Sequence, residues 1–398
     1  MPKLTTLITA PAANPSPAFT AHNLRIAIIT DAAAPQVNGV VRTLKQLGEE
    51  LEALGHKAIY ITPDLFSTMP MPTYKEIRIA LFPARRLKKL LAEHQPDAIH
   101  IATEGPLGMA ARRYCVRHNL PFTTSFHTRF PEYLKARVGV PLNWTYAWLR
   151  HFHKPSKAMM VATPRLADEM HARGFTNTAM WSRGVDTELF HPDSALHKTE
   201  THEAEANEKE YLNLPRPLWL YVGRVAVEKN IDAFLALDLP GSKLVVGEGP
   251  KLEQLKKKHP EATFTGALFG EELAQAYAAS DCFVFPSKTD TFGLVLIEAL
   301  AAGTPVAAYP VQGPLDVIGT APVGALNEDL RTACLAAIQA SREDARTYAL
   351  NFSWASCTQQ FLSHLALLEH PTHNTLTAPP APTQKAQPTA RPLKTSAL

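Results

Sequence analysis

The chain reads as an α/β protein of two doubly wound, Rossmann-like domains facing each other across a cleft. Apolar strand-like runs alternate with helical patterns in one series before residue 192 and in a second after residue 214. The leading run of each series, Leu24–Thr30 and Leu218–Val222, is apolar almost throughout, as a parallel strand covered on both faces requires. The stretch between the series, 192–214, is charged and poor in apolar residues, and reads as a linker. In such folds ligands sit beyond the carboxyl ends of the strands.

Taken in order, residues 1–23 are rich in Pro and Ala, carry no pattern and predict a disordered leader; one Lys and a short apolar patch broken by Pro11 make a poor signal peptide. The first domain, 24–191, has strand candidates at 24–30, 58–61, 77–79, 98–101, 122–126 and 158–161. Helical patterns lie at 40–54, 85–94, 107–118 and 164–173. The second domain, 215–352, has strands at 218–222, 243–246, 263–265, 282–285 and 306–308, with helices after Glu228, Pro250, Gly270, Gly293 and Asn327. Ala355–Glu369 reads as a closing amphipathic helix within 353–370. Residues 371–398 hold six prolines and no acid, and predict a disordered tail.

At 398 residues the chain is long enough for two full domains, and 45% hydrophobic with 19% charged residues fits a globular protein. No apolar run reaches the roughly 18–20 residues that a membrane crossing needs. The four cysteines are far apart and have no metal-ligand spacing, which predicts reduced thiols and a cytoplasmic protein. The net charge of +3 is uneven. Thirteen Lys and Arg face four acids between Leu81 and Ala158, so the first half suits an anionic partner. In 133–157 aromatic and basic residues are mixed, and Arg85–Leu91 adds a basic helix. One reading is an anionic membrane surface as partner; the other is a helix pair with core aromatics and a solvated basic face. No nucleic-acid motif is present.

The chemistry gathers around Ser287–Gly303. An apolar strand, Cys282–Phe285, is followed by a polar loop and a helix from Leu294 that Gly303 stops. Asp290 and Thr291 are candidate N-caps. Glu298 lies among apolar residues, so its carboxylate needs a partner, either an Arg or Lys or the diol of a ribose. Gly223-Arg224 and Lys229 put two cations at the end of a strand, where a departing nucleoside diphosphate gains charge. Gly247 and Gly249 form a weak Gly-x-Gly turn. Asn38-Gly39 leads into the first helix, where glycine permits close approach and positive φ, and Arg42 adds charge one turn on. His127 follows a strand edge; a lone His is more often structural than catalytic.

Asp290 and Glu298, with seven residues between them, resemble the acidic-x7-Glu motif of retaining nucleotide-sugar glycosyltransferases of the GT-B fold and GT4 type. The form Thr-Asp-Thr-Phe-Gly is similar to the branch of bacterial GDP-mannose-dependent mannosyltransferases. Asn38-Gly39, His127, Arg183-Gly-Val-Asp186 and Gly223-Arg-x-x-x-Glu-Lys-Asn230 follow the family in the same order, so the resemblance spans about 24–369. It implies that Arg224 and Lys229 hold the diphosphate and Glu298 the ribose. Asp290 with the Phe292-Gly293 backbone would hold the sugar hydroxyls, Thr291 would belong to the donor site, and His127 would orient the sugar. Asn38, Gly39, Gly223, Gly247 and Gly249 would line the donor site. Asp186 is a minor candidate for contact, and Glu228 a structural residue paired with Lys229 or Arg224. The resemblance further implies a GDP-mannose or UDP-sugar donor, a lipid or glycan acceptor, no metal and no cofactor. It places the last helix back on the first domain and the enzyme peripherally on the inner face of the cytoplasmic membrane. A sugar-nucleotide epimerase or hydrolase and a non-catalytic sugar-nucleotide binder are the alternatives.

Overall fold

The computed structural model describes residues 23–34, 36, 38–71, 78–132, 135, 139–195, 210–290 and 292–369. The leader, the tail, most of the linker, Thr291 and part of the aromatic-basic segment lie outside the described residues.

The first lobe comprises β1 (Arg25–Ile29), α1 (Gly39–Ala53), β2 (Lys57–Ile61), β3 (Thr68–Pro70), β4 (Arg78–Ala80), α2 (Ala84–His94), β5 (Ala98–Ile101), α3 (Pro106–Arg117), β6 (Thr123–Ser125), α4 (Leu142–His153), β7 (Met159–Val161), α5 (Pro164–Ala172) and β8 (Thr178–Met180). Its sheet runs β2-β1-β5-β6-β7-β8, parallel throughout. Alternation along β1 sorts the core onto two faces. Ile26 and Ile28 pack with Leu44, Leu47 and Leu51 of α1, while Ala27 and Ile29 pack with Leu87 and Leu91 of α2.

The second lobe repeats the plan with β9 (Leu218–Val222), α6 (Ile231–Leu235), β10 (Ser242–Val246), α7 (Leu252–Lys258), β11 (Thr263–Gly266), α8 (Gly270–Ala279), β12 (Cys282–Phe285), α9 (Leu294–Ala301), β13 (Val306–Ala308), α10 (Gln312–Val317), β14 (Gly324–Leu326), α11 (Leu330–Ala337) and α12 (Arg342–Ala349). Its sheet runs β11-β10-β9-β12-β13-β14, again parallel. Leu218, Leu220 and Val222 serve one face and Trp219 and Tyr221 the other. In both sheets the order reverses beside the first strand, between β1 and β5 and between β9 and β12. That is where doubly wound folds open a binding crevice.

The last helix, α13 (Trp354–His364), returns to the first lobe, where Cys357, Phe361 and Leu362 pack with Leu44, Leu47 and Trp181. Beyond it Leu368 N–H donates to the Asp97 carbonyl at 2.7 Å.

Some local expectations differ. The strand near 77–79 is β4, which forms an antiparallel hairpin with β3 apart from the main sheet. The closing helix stops at His364 rather than Glu369. Edge strands β8 and β14 and helices α10 and α12 are additions that the sequence did not suggest.

Candidate active site

The second-lobe half of the site is two interlocked loops at the carboxyl ends of β9 and β10. Gly223 N–H donates to the Val246 carbonyl at 3.0 Å, Val225 N–H to Glu248 at 2.8 Å and Lys251 N–H to Val225 at 3.0 Å. Gly247 and Gly249, at φ 146° and 156°, lie where this lacing is tightest. A Cβ on Gly247 would stand 1.9 Å from the Gly223 carbonyl oxygen, and one on Gly249 2.3 Å from that of Val225. These glycines are therefore required by loop-on-loop packing. Arg224 is half-buried in the first loop, and its carbonyl accepts from the Tyr221 hydroxyl at 2.9 Å.

Lys229 crosses to the β12 loop, where its Nζ meets Asp290 Oδ1 at 2.5 Å, both side chains largely buried. Asn230, in the left-handed region, ties the same loops through its Nδ2 to the Pro286 carbonyl at 3.2 Å. Asp290 is thus an ion-pair partner and not the helix cap anticipated for it. The N-cap position of α9 belongs to Gly293, at φ 87°, without a side-chain cap bond. Asp290 Oδ2, Ser287 Oγ and Thr289 Oγ1 are buried in this loop without a hydrogen-bond partner among the described residues. Burying an unsatisfied polar atom costs about 1–3 kcal/mol, so such a cluster calls for a ligand or water rich in hydrogen-bonding groups. Phe292 is buried and meets the Phe352 ring at 6.2 Å.

The first-lobe half starts at β1. Asp31 is half-buried beneath the N-terminus of α3. It accepts from Leu107 N–H at 2.9 Å, Gly108 N–H at 3.1 Å and the Thr103 hydroxyl at 3.0 Å. Burial nonetheless raises its carboxyl above the ordinary range, against those bonds. Asn38 caps α1, its Oδ1 accepting from Val40 and Val41 N–H at 3.0 Å each. That helix end thus has two of its amides already capped. Gly39 is the first residue of α1 and has no positive φ, contrary to expectation. A Cβ built on it would lie 3.9 Å from Leu294 Cδ1, which puts this turn opposite the start of α9.

The lobes meet at Glu298. Its Oε1 takes Arg42 Nη2 at 2.5 Å from the first lobe, and its Oε2 accepts from the Tyr277 hydroxyl at 3.0 Å. Of the two partners considered for this carboxylate, the structure supplies an arginine. A second bridge joins Arg165 of α5 to the buried Asp316 of α10 at 3.1 Å. Tyr277, Arg165 and Asp316 were not singled out from sequence. Tyr277 sits in the apolar pattern of α8, and Arg165 and Asp316 look like surface charges on their own helices.

His127 follows β6, and its Nδ1 lies 3.2 Å from Nη2 of the buried Arg183. Burial, then Arg183 and His100, hold its imidazole well below the ordinary range. Asp186 accepts from Glu188 and Leu189 N–H, a local turn. Among the described residues no three His, Cys, Asp or Glu side chains cluster as a metal site would need.

Two parallel-sheet lobes of this topology, with polar loops at both switch points, make up the GT-B fold. Residues 37–189 match the model for Glycosyltransferase Family 4, and 216–343 the model for Glycosyl transferases group 1. Each lobe thus carries a domain of one of these glycosyltransferase families. It is 29% identical to a GDP-mannose-dependent alpha-mannosyltransferase of Mycobacterium tuberculosis, over 86% of this chain and 96% of that one. It is 27% identical to an alpha-monoglucosyldiacylglycerol synthase of Streptococcus pneumoniae, over 80% and 79%. Among solved structures, sucrose-phosphate synthase from Thermosynechococcus elongatus superposes with a TM-score of 0.66 at 22% identity, covering 84% of this chain and 96% of that one. The protein is a hexosyltransferase.

Proposed function

We propose that the protein transfers mannose from GDP-mannose, with retention at the anomeric carbon, to a hydroxyl of a membrane lipid or glycan. The β12 loop carries this reading: Lys229 is paired with Asp290 while Asp290 Oδ2, Ser287 Oγ and Thr289 Oγ1 stay buried without partners among the described residues. A hexose has the hydroxyls to meet such acceptors, and a diphosphate has the charge to engage Lys229 and Arg224. Relatives from three bacteria are named GDP-mannose-dependent alpha-mannosyltransferases, which favours that donor.

In this reading Arg224 and Lys229 stabilise the leaving diphosphate as it gains charge. The bond from the anomeric carbon to phosphate oxygen breaks, and the acceptor oxygen bonds to that carbon on the same face. The acceptor proton leaves with the phosphate. Asp290 and the backbone at Phe292 and Gly293 hold sugar hydroxyls. Gly223, Gly247, Gly249, Asn38 and Gly39 shape the walls. Glu298 holds the ribose once Arg42 yields an oxygen of its carboxylate.

A lipid acceptor would bring the enzyme to the inner face of the cytoplasmic membrane. No helix among the described residues is long and apolar enough to cross it. Phe82 is 94% exposed beside the exposed Arg85, Arg86, Lys88 and Lys89 of α2, a suitable contact for anionic headgroups. In the aromatic-basic segment, Tyr146 and Phe152 belong to the core and Trp144 alone of these three is exposed.

The test is acceptor-dependent release of nucleoside diphosphate from GDP-mannose and from UDP-sugars, with EDTA present. GDP release that needs a lipid or glycan upholds the reading. UDP release would replace the donor, and turnover without acceptor would indicate an epimerase or hydrolase.

A further inference from the structure

Arg183 is 5% exposed, yet no carboxylate among the described residues forms an ion pair with it. Its Nη1 donates to the Trp181 and Ser182 carbonyls at 2.6 and 2.8 Å, and its guanidinium lies 4.4 Å from the Trp181 ring centre. Burying a charge without a counter-ion is costly, and here burial pushes the guanidinium down to about 10. The surroundings leave it little freedom. Ser182 N–H donates to Gln360 Oε1 at 2.8 Å, Cys357 Sγ–H to the Ser182 carbonyl at 3.1 Å, and Phe361 packs on Trp181 with ring centres 5.2 Å apart. The returning helix α13 thus holds the arginine against His127, whose ring meets Trp181 edge-on at 5.5 Å.

A guanidinium has only donors. The nitrogen facing it at 3.2 Å, His127 Nδ1, must therefore be the acceptor, and the ring proton must be on Nε2. We infer that Arg183 is a positioning residue that fixes His127 as the neutral Nε2–H tautomer, a hydrogen-bond donor and not a base. The groups acting electrostatically on the ring, Arg183 and His100 of β5, both oppose an imidazolium. His100 is itself held between the hydroxyls of Thr123 and Ser125, at 2.9 and 2.7 Å. This rests on the proposed function in one respect: in that reading His127 faces the donor sugar. It then donates to a sugar oxygen through Nε2 and cannot take the acceptor's proton, which is left to the departing phosphate.

The first test reads the tautomer in the unaltered chain. In the full chain carrying isotope-labelled histidine, the His127 ring signals, assigned by their loss in His127→Gln, should show the Nε2–H form. They should not titrate as pH falls through about 6.5, where an ordinary histidine does. An Nδ1–H form, or titration near that pH, overturns the inference. Variants supply the catalytic readout. A glutamine amide can place its nitrogen near Nε2, whereas asparagine reaches only Nδ1. His127→Gln should keep kcat at least about tenfold above His127→Asn, roughly the worth of one neutral hydrogen bond. Arg183→Met should lose the single tautomer and let the ring titrate, and Arg183→Lys, still a donor, should restore the Nε2–H form and the flat titration. Equal kcat in the two His127 variants overturns the donor role. A correct tautomer in a chain that releases no nucleoside diphosphate upholds the inference and refutes the proposed function instead.

Discussion

Consider removing one side of the bridge between the lobes. Arg42 and Glu298 are 2.5 Å apart, but their exposures differ, 41% for the arginine side chain and 5% for the glutamate. Breaking a fully buried pair costs about 3–5 kcal/mol, because a charge is stranded out of water. Arg42→Met strands the buried carboxylate with Tyr277 as its remaining partner, at a cost of about 2–3 kcal/mol after allowing for water near the pair. Glu298→Gln instead leaves a guanidinium that water can solvate, at about 1 kcal/mol. The double variant should cost less than the singles added together, by about 1 kcal/mol or more. Urea unfolding of the four proteins measures this. Arg42→Met should also lower the melting temperature by roughly 5–10 °C at the scale for domains of this size. Strict additivity, or a larger cost for Glu298→Gln than for Arg42→Met, would refute the account of how the lobes are tied.

Other outcomes follow from the same structure. Burial, with Arg183 second, pushes the His100 imidazole down to about 3. Between that pH and about 6.5 the unfolded chain binds a proton that the fold does not. Stability contributed by this group is complete above about 6.5 and is lost on acidification at up to ~1.4 kcal/mol per pH unit. In pH-dependent unfolding, His100→Gln should flatten that slope. Gly247→Ala would put a methyl group 1.9 Å from a backbone carbonyl at a φ that alanine rarely adopts. It should cost about 2 kcal/mol or more and raise KM for the donor, checked by thermal melts with steady-state kinetics. Tyr277→Phe removes a buried hydroxyl from Glu298 and should cost about 1–3 kcal/mol in the same melts.

The fold was legible where burial leaves a long signature. β1 and β9 are covered on both faces, so their apolar runs stand out, and the helix after Gly293 could be read from Leu294 onward. Edge strands did not show. Thr178–Met180 and Gly324–Leu326 are three residues each and half-buried, too short for any period to register. The site was legible as residue types at strand ends and illegible as pairings. Lys229 with Asp290 is a contact across 61 positions, and Arg42 with Glu298 joins different lobes. Glu298 illustrates the difference: its apolar neighbours reveal that the carboxylate needs a partner, but the choice between arginine and ribose depends on tertiary geometry. Gly247 and Gly249 were visible as a turn, whereas their reason, the close approach of a neighbouring loop, was not.

The most direct measurement is mannosyl transfer from GDP-mannose to lipid by Lys229→Ala beside the unaltered chain. Loss of a fixed charge on the leaving diphosphate should lower kcat by about 10²–10³. Thermal unfolding without donor should fall by a few degrees, because Asp290 loses its ion-pair partner, and the protein should remain folded. Transfer at the unaltered rate in a folded Lys229→Ala protein would contradict the assignment of the β9 and β12 loops as the place where the sugar leaves its nucleotide.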